Sequence, residues 1–135
     1  MKNCLNCKKE ISNRYKYCSN TCQNDFQYKK YIEDWKSGKV SGLCASNKIS
    51  HYLRKYLLRK CGHKCSICGW AEKNVYSGTV PLEVDHLNGN WRDNREENLM
   101  PKCPNCHSLT ETYRNLNKGS GRPKRMERYY AGKAY

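Results

Sequence analysis

Cys65-Ser66-Ile67-Cys68 and Cys103-Pro104-Asn105-Cys106 are the two stretches that decide the fold of the second half of the chain. Each contains two cysteines separated by two residues, and 34 residues lie between the pairs. Paired motifs of this kind are typical of structural zinc sites, because four thiolates complete a tetrahedral shell. The spacing therefore predicts one Zn²⁺ held by Cys65, Cys68, Cys103 and Cys106.

A second cysteine cluster lies near the start of the chain. Cys4-x2-Cys7 is followed by ten residues and then by Cys18-x3-Cys22, which is close to structural zinc spacing. We interpret it as an N-terminal zinc knuckle with its own Zn²⁺. The two remaining cysteines, Cys44 and Cys61, are interpreted as free or buried thiols. Because Cys61-Gly62-His63 directly precedes the second cluster, a different ligand assignment there stays open.

Size and hydropathy limit the class of protein. At 135 residues the chain is small for a hydrophobic core alone, and zinc would stabilise it further. No apolar run exceeds three residues, so we expect neither a signal peptide nor a membrane span. These features predict a cytoplasmic protein whose cysteines bind metal and do not form disulfides.

The charge of the chain is strongly positive and unevenly distributed. The formal net charge is +14, and two four-cysteine zinc sites would reduce it to about +10. Residues 48–64 hold six Lys or Arg and no acid, and residues 114–135 hold seven against one Glu, whereas residues 65–113 hold seven acids against four bases. Basic flanks around a mildly acidic centre favour a polyanionic partner, with a divalent cation in the middle.

The pattern of apolar residues predicts the other elements. Helical spacing favours a helix from Cys22 to about Trp35, ended by Gly38, and a second helix from about Lys48 to Lys60. A strand is predicted at Val80–Val84, a turn at Asn88–Asn90 and a closing helix from about Cys103 to Tyr113. The predicted organisation is a knuckle and helix at 1–36, a linker at 37–47, a main domain at 48–113 and a basic tail at 114–135.

A further pattern lies between the cysteine pairs of the second cluster. Asp85-His86 is followed twelve residues later by Asn98, and His107 comes nine residues beyond that. This pattern, over about residues 65–113, resembles the HNH endonuclease family in its zinc-containing branch, and more loosely the free-standing phage members, some of which are homing endonucleases. The resemblance implies a small α+β fold: a zinc-stapled ββα-metal, treble-clef-like core preceded by the N-terminal zinc knuckle and helix. If a phage encodes the chain, the host cytoplasm is the expected location.

The resemblance also implies a role for each residue of the pattern. His86 would be the general base, and Asp85 and His107 would bind one catalytic Mg²⁺ or Mn²⁺. Asn98 would hydrogen-bond backbone and hold the loop that bears His86. Neighbouring residues on a regular strand point to opposite faces, so Asp85 and His86 can act on one phosphate only where the strand ends or bulges.

The sequence leaves alternatives open. Asn98 could cap a helix, and His107 could replace a cysteine at the zinc site. The predicted function is cleavage of duplex DNA by a monomer or a homodimer, and the alternative is a non-catalytic zinc module that binds nucleic acid. Trp91 is equally consistent with a core position and with a DNA contact. The predicted DNA contacts are Arg54, Lys55, Arg59, Lys60, Arg92, Arg122, Lys124 and Arg125.

Overall fold

The computed structural model describes residues 1–117, so the predicted DNA contacts Arg122, Lys124 and Arg125 lie outside the described residues. The chain divides into two compact units, Met1–Val40 and a second unit that begins at Ser41. Within residues 1–117 the elements are two two-stranded sheets and three α-helices, which is a small α+β fold. None of the helices in this part of the chain has the length and hydropathy that a membrane crossing requires.

The first unit combines a short hairpin with a long helix. Strands β1 (Lys2–Asn3) and β2 (Glu10–Ile11) pair antiparallel. Helix α1 spans Asn20–Lys36 and starts two residues before the predicted Cys22, because the Ser19 hydroxyl accepts a hydrogen bond from the Cys22 backbone N–H at 3.1 Å. Its buried side chains, Ile32 and Trp35, lie on the predicted apolar face.

The second unit begins inside the segment predicted to be a linker. Residues 41–50 form a loop whose two ends are hydrogen-bonded to each other. Leu43 forms an antiparallel β-bridge with Ile49, and the Ser50 backbone N–H donates to Gly42 O at 2.8 Å. Helix α2 then spans His51–Lys60 and begins later than the predicted Lys48, because the Ser50 hydroxyl caps it by accepting from Leu53 N at 3.2 Å. Residues 41–50 therefore belong to the second compact unit.

Helix α2 is attached to the rest of its unit by apolar and polar contacts. Leu53 and Leu57 are buried. On the polar side, the Arg54 guanidinium donates to Leu82 O at 2.8 Å, and the Tyr56 hydroxyl donates to Glu96 at 2.9 Å. Lys60 forms an ion pair with the same Glu96 carboxylate. These contacts hold α2 against the residue that precedes the next hairpin and against the loop between the two strands of that hairpin.

That hairpin consists of β3 (Glu83–His86) and β4 (Leu99–Lys102), with Glu83 opposite Lys102 and His86 opposite Leu99. The predicted strand, Val80–Val84, begins three residues and ends two residues before the observed one. Pro81 has no backbone N–H to give to a strand ladder, and Leu82 instead packs in a small core with Cys65 and Cys103.

Helix α3 spans only Pro104–Ser108, shorter than the predicted closing helix to Tyr113. Cys103 is its N-cap and Pro104 its first residue, a favourable start for a helix. The Thr110 hydroxyl donates to His107 O at 2.9 Å, and this bond satisfies a carbonyl at the C-terminal end. His107 is the fourth residue of α3, one turn after the helix begins, and its ring lies close to Glu83 and Asp85 of β3.

Candidate active site

Both cysteine clusters have the geometry of a tetrahedral metal site. The sulfur atoms of Cys4, Cys7, Cys18 and Cys22 lie within 4.8 Å of one another, and so do those of Cys65, Cys68, Cys103 and Cys106. Individual sulfur separations are 3.4 Å for Cys18 and Cys22 and 3.8 Å for Cys68 and Cys103. Four thiolates around one Zn²⁺ would be about 3.8 Å apart. Both donor sets therefore fit zinc.

Backbone donors prepare individual sulfurs for a metal. Burial acts to raise the pKa of the Cys4 thiol, but the backbone N–H groups of Cys7, Cys18 and Asn6 outweigh it and lower the pKa to about 6. The Cys65 thiol has the same balance of burial and backbone donors, and its pKa is also lowered to about 6. These donors favour the thiolate, which is the form that binds zinc.

The structure brings Asp85 and His107 together. Asp85 lies on β3 with its side chain only 6% exposed, and its Oδ1 is 3.5 Å from His107 Nε2. Two ligands of one cation at ordinary metal–ligand distances would be about 3.0 to 3.4 Å apart. The two atoms therefore need to shift only slightly to share a divalent cation.

Glu83 orients the His107 ring. Its carboxylate is hydrogen-bonded to His107 Nδ1, and in the neutral ring this nitrogen carries the proton while Nε2 has the lone pair that faces Asp85. A carboxylate on the second nitrogen is the usual support of a metal-binding histidine, because it fixes the tautomer and makes the ligand more basic. The second cysteine cluster has four sulfur atoms, including those of Cys103 and Cys106, so it does not need His107 as a zinc ligand.

His86 has a different partner from Asp85, as the alternation of a strand requires. Its Nε2 lies 2.7 Å from Asn94 Oδ1, and both side chains are buried. With the Asn94 oxygen as acceptor, Nε2 carries the proton and Nδ1 keeps a lone pair. Strand β3 ends at His86, and the following Leu87–Gly89 turn includes Gly89 at φ +74°. The strand therefore ends at His86, which is the condition under which Asp85 and His86 could act on one phosphate.

Asn98 joins the two ends of the loop that follows His86. Its Oδ1 accepts from Asn88 N at 3.0 Å, and its Nδ2 donates to Asp93 O at 2.8 Å and to Asn88 Oδ1 at 2.9 Å. Asn98 lies at the end of a short 3₁₀ helix, Glu96–Asn98, and does not cap it, since that N-cap is Arg95. The bonds are those of a residue that holds a loop in place.

The segment after α3 packs on the same loop. Asn117 Nδ2 donates to Gly89 O at 2.7 Å, and the Tyr113 ring meets His107 edge-on with centroids 5.3 Å apart. A Cβ on Gly89 would lie 2.5 Å from Asn117 Oδ1 and 2.9 Å from Thr112 Cγ2. Residues 112–117 thus cover the turn that follows His86, although residues 114–135 were predicted to be a tail.

The predicted DNA contacts within residues 1–117 stay predictions. Arg54 and Lys60 bond Leu82 and Glu96 within the unit, and Lys55 and Arg59 also have interactions within the protein. Arg92 is exposed and lies over the Trp91 ring, 5.0 Å from its centroid. Trp91 itself is buried, which agrees with the core interpretation.

Three residues of the site carried no sequence signal: Glu83, Asn94 and Lys102. The Lys102 ammonium forms an ion pair with Asp85 Oδ2 at 2.8 Å. Their positions depend on the β3–β4 register and on the fold of the loop between the strands, and no sequence motif encodes either of these features. A charged residue directly opposite Glu83 in a predicted hairpin would have been the signal for Lys102.

The comparisons with known proteins point to one family. The chain is 37% identical over 101 residues to the H-N-H endonuclease F-TflIV of Escherichia phage T5, an alignment that covers 72% of this chain and 40% of the relative. The chain therefore spans about two fifths of the length of that relative. No protein-family model matches the chain, and no solved structure matches it significantly.

A small α+β unit with a four-cysteine cluster and an Asp-His, Asn and His constellation at one hairpin defines the class of zinc-containing HNH proteins. The identity to the phage endonuclease agrees with this class. The chain belongs to the HNH endonuclease family.

Proposed function

We propose that this chain is a metal-dependent endonuclease that hydrolyses phosphodiester bonds in duplex DNA, with Asp85, His86, Asn98 and His107 as its site. The observation that carries the proposal is the 3.5 Å approach of Asp85 Oδ1 to His107 Nε2. The name of the phage relative supports the same reaction class. In this proposal β3, β4 and α3 are the ββα-metal core, with the treble-clef-like arrangement of the family, and the second cysteine cluster braces it.

Asp85 Oδ1 and His107 Nε2 would hold a single Mg²⁺ or Mn²⁺. When bound, that cation would act as a Lewis acid on the scissile phosphate and stabilise the departing 3′ oxygen. Glu83 keeps the proton on Nδ1 of His107, so that Nε2 stays available as a ligand. The two zinc ions are structural in this proposal, because a four-thiolate site has no open position for substrate.

His86 would be the general base. The Asn94 oxygen holds the proton on Nε2, and Nδ1 is then the atom that takes a proton from the attacking water. Asn98 holds the loop after His86 through its bonds to Asn88 and Asp93. Because the 3′ oxygen is the leaving group, hydrolysis would leave a 5′-phosphate and a 3′-hydroxyl, which are the ends that the HNH family produces.

DNA would be bound through the basic flanks of the chain, residues 48–64 and 114–135. One site per chain means that a monomer nicks one strand, and a double-strand break then needs a homodimer or two successive encounters. A homing role belongs to this proposal alone, since the phage relative is named as an endonuclease.

The experiment is cleavage of a supercoiled plasmid with Mg²⁺ by the zinc-loaded chain and by His86→Ala. The matched control is His51→Ala, because His51 is an exposed histidine at the first position of α2. We expect open circles from the wild type and from His51→Ala, and a loss of roughly 10²-fold or more in rate for His86→Ala. DNA binding by all three proteins without cleavage would favour the non-catalytic zinc module instead.

A further inference from the structure

Lys102 is a buried lysine beside a proposed metal ligand. Its side chain is 7% exposed, and its ammonium lies 2.8 Å from Asp85 Oδ2. Lysine is almost never buried without a partner, because removal of the ammonium from water is costly. The cross-strand register places Lys102 opposite Glu83, so β4 delivers the ammonium to the face of the hairpin where His107 also lies.

The two oxygens of Asp85 have different neighbours. Oδ2 bonds the Lys102 ammonium, whereas Oδ1 faces His107 Nε2. The ammonium competes with a metal at Oδ2, so Oδ1 is the oxygen that Asp85 offers more readily to a metal. Asp85 and Lys102 together are also electrically neutral, so the attraction of this ligand for a free divalent cation is weakened by a positive charge in contact with it.

We propose that Lys102 is a positioning residue that restricts Asp85 to one metal-binding oxygen and keeps the affinity for free divalent cation low. The inference rests on the proposed nuclease function, since it concerns the same cation. A site with one available carboxylate oxygen and one histidine nitrogen holds Mg²⁺ firmly only when phosphate oxygens complete the shell. The DNA phosphate thereby becomes a required partner for metal binding, and the cation is retained where substrate is present.

The test is a titration of the zinc-loaded, full-length chain with Mn²⁺ alone, followed by the electron paramagnetic resonance signal of free Mn²⁺. The variants are Lys102→Met, which removes the charge and keeps the aliphatic stem, and Lys102→Gln, which keeps an N–H donor for Asp85 Oδ2. Lys73→Met is the matched control, because Lys73 is an exposed lysine of the same unit and is not one of the residues proposed to bind metal or DNA. Circular dichroism checks that each variant is folded, and Lys102→Gln carries the test if Lys102→Met does not fold.

We expect both Lys102 variants to bind Mn²⁺ on the order of tenfold more tightly than the wild type and Lys73→Met, because a unit charge next to the ligand is gone. Addition of Asp85→Asn to Lys102→Gln should abolish the gain, which places the bound Mn²⁺ at Asp85. The Mg²⁺ concentration for half-maximal plasmid cleavage should fall in parallel.

Equal or weaker Mn²⁺ binding by the Lys102 variants overturns the inference. If the wild type still cleaves plasmid in that case, the proposed nuclease function stands without it. If the wild type does not cleave and neither Lys102 variant binds Mn²⁺, the inference and the proposed function both fail.

Discussion

At the residue scale, the ring of His107 shows most clearly how the proposed site is organised. One nitrogen bonds the Glu83 carboxylate, and the other faces Asp85 Oδ1 at 3.5 Å. Glu83 is half exposed, so its bond to His107 contributes little to the stability of the fold. Its contribution is to the orientation and tautomer of the ring.

This arrangement predicts a graded effect of changes at Glu83. Glu83→Ala should weaken Mn²⁺ binding and cleavage by roughly 10- to 100-fold, the usual cost of losing a carboxylate behind a metal-binding histidine. Glu83→Gln should lose less, because its amide oxygen can still accept from Nδ1. Glu72→Ala, which removes another exposed carboxylate of the same unit, is the control. Activity of Glu83→Ala equal to that of the control would contradict the role given to Glu83.

Asn98 makes a second prediction at this scale. It is buried, and its side chain makes three hydrogen bonds within the loop. Asn98→Ala removes all three of these part-buried hydrogen bonds, which should cost about 1 to 3 kcal/mol of stability in addition to activity. Urea unfolding measures the loss. An unchanged unfolding midpoint would show that Asn98 does not hold the loop.

At the scale of elements, the hairpin and the turn after it are joined by residues 112–117. Gly89 lies at φ +74° beneath this segment, and Gly78 lies at φ +72° with open space around the position of a Cβ. Alanine at either position is strained by the backbone, at about 1 to 2 kcal/mol. Only at Gly89 would it also collide with Thr112 and Asn117.

A comparison of Gly89→Ala with Gly78→Ala therefore separates the effect of backbone strain from the effect of the collision with Thr112 and Asn117. We expect Gly78→Ala to lower the melting temperature and to keep the cleavage rate per folded molecule. Gly89→Ala should lower both, because the turn after His86 must move. Thermal melts and single-turnover cleavage of the two variants measure this, and indistinguishable effects would contradict the role of residues 112–117.

The elements also show what the sequence could predict. The cysteine spacing was sufficient to predict the two groups of four cysteines that the structure brings together, because each group contains local Cys-x2-Cys or Cys-x3-Cys turns. The exact strand was not predictable from apolar residues, since Val80 and Leu82 are apolar for reasons of core packing and Pro81 interrupts the ladder. Glu83, Asn94 and Lys102 depend on register and loop shape, so no pattern in the sequence marked them.

At the scale of the whole molecule, few of the apolar side chains within residues 1–117 are buried, and the two cysteine clusters lie one in each unit. In the second unit the small core includes Cys65 and Cys103 themselves. Metal at these positions would therefore be part of the folded core, as it is in other small zinc proteins.

Zinc removal is thus expected to unfold the chain, whereas removal of Mg²⁺ is expected to leave it folded and inactive. The difference arises because each zinc would be bound by four thiolates that belong to the fold, whereas Mg²⁺ would be bound by only two protein ligands, Asp85 and His107. Circular dichroism melts with a strong zinc chelator and in Mg²⁺-free buffer measure both effects. A melt unchanged by loss of zinc would contradict the structural role of the clusters.

The proposed nuclease requires that Asp85 and His107 hold a divalent cation that is needed to cut DNA. Conversion of supercoiled plasmid by the zinc-loaded wild type and by Asp85→Asn, each with and without added Mg²⁺, measures this. We expect open circles only from the wild type and only with Mg²⁺. Cleavage that proceeds without a divalent cation, or equally well in Asp85→Asn, would contradict it.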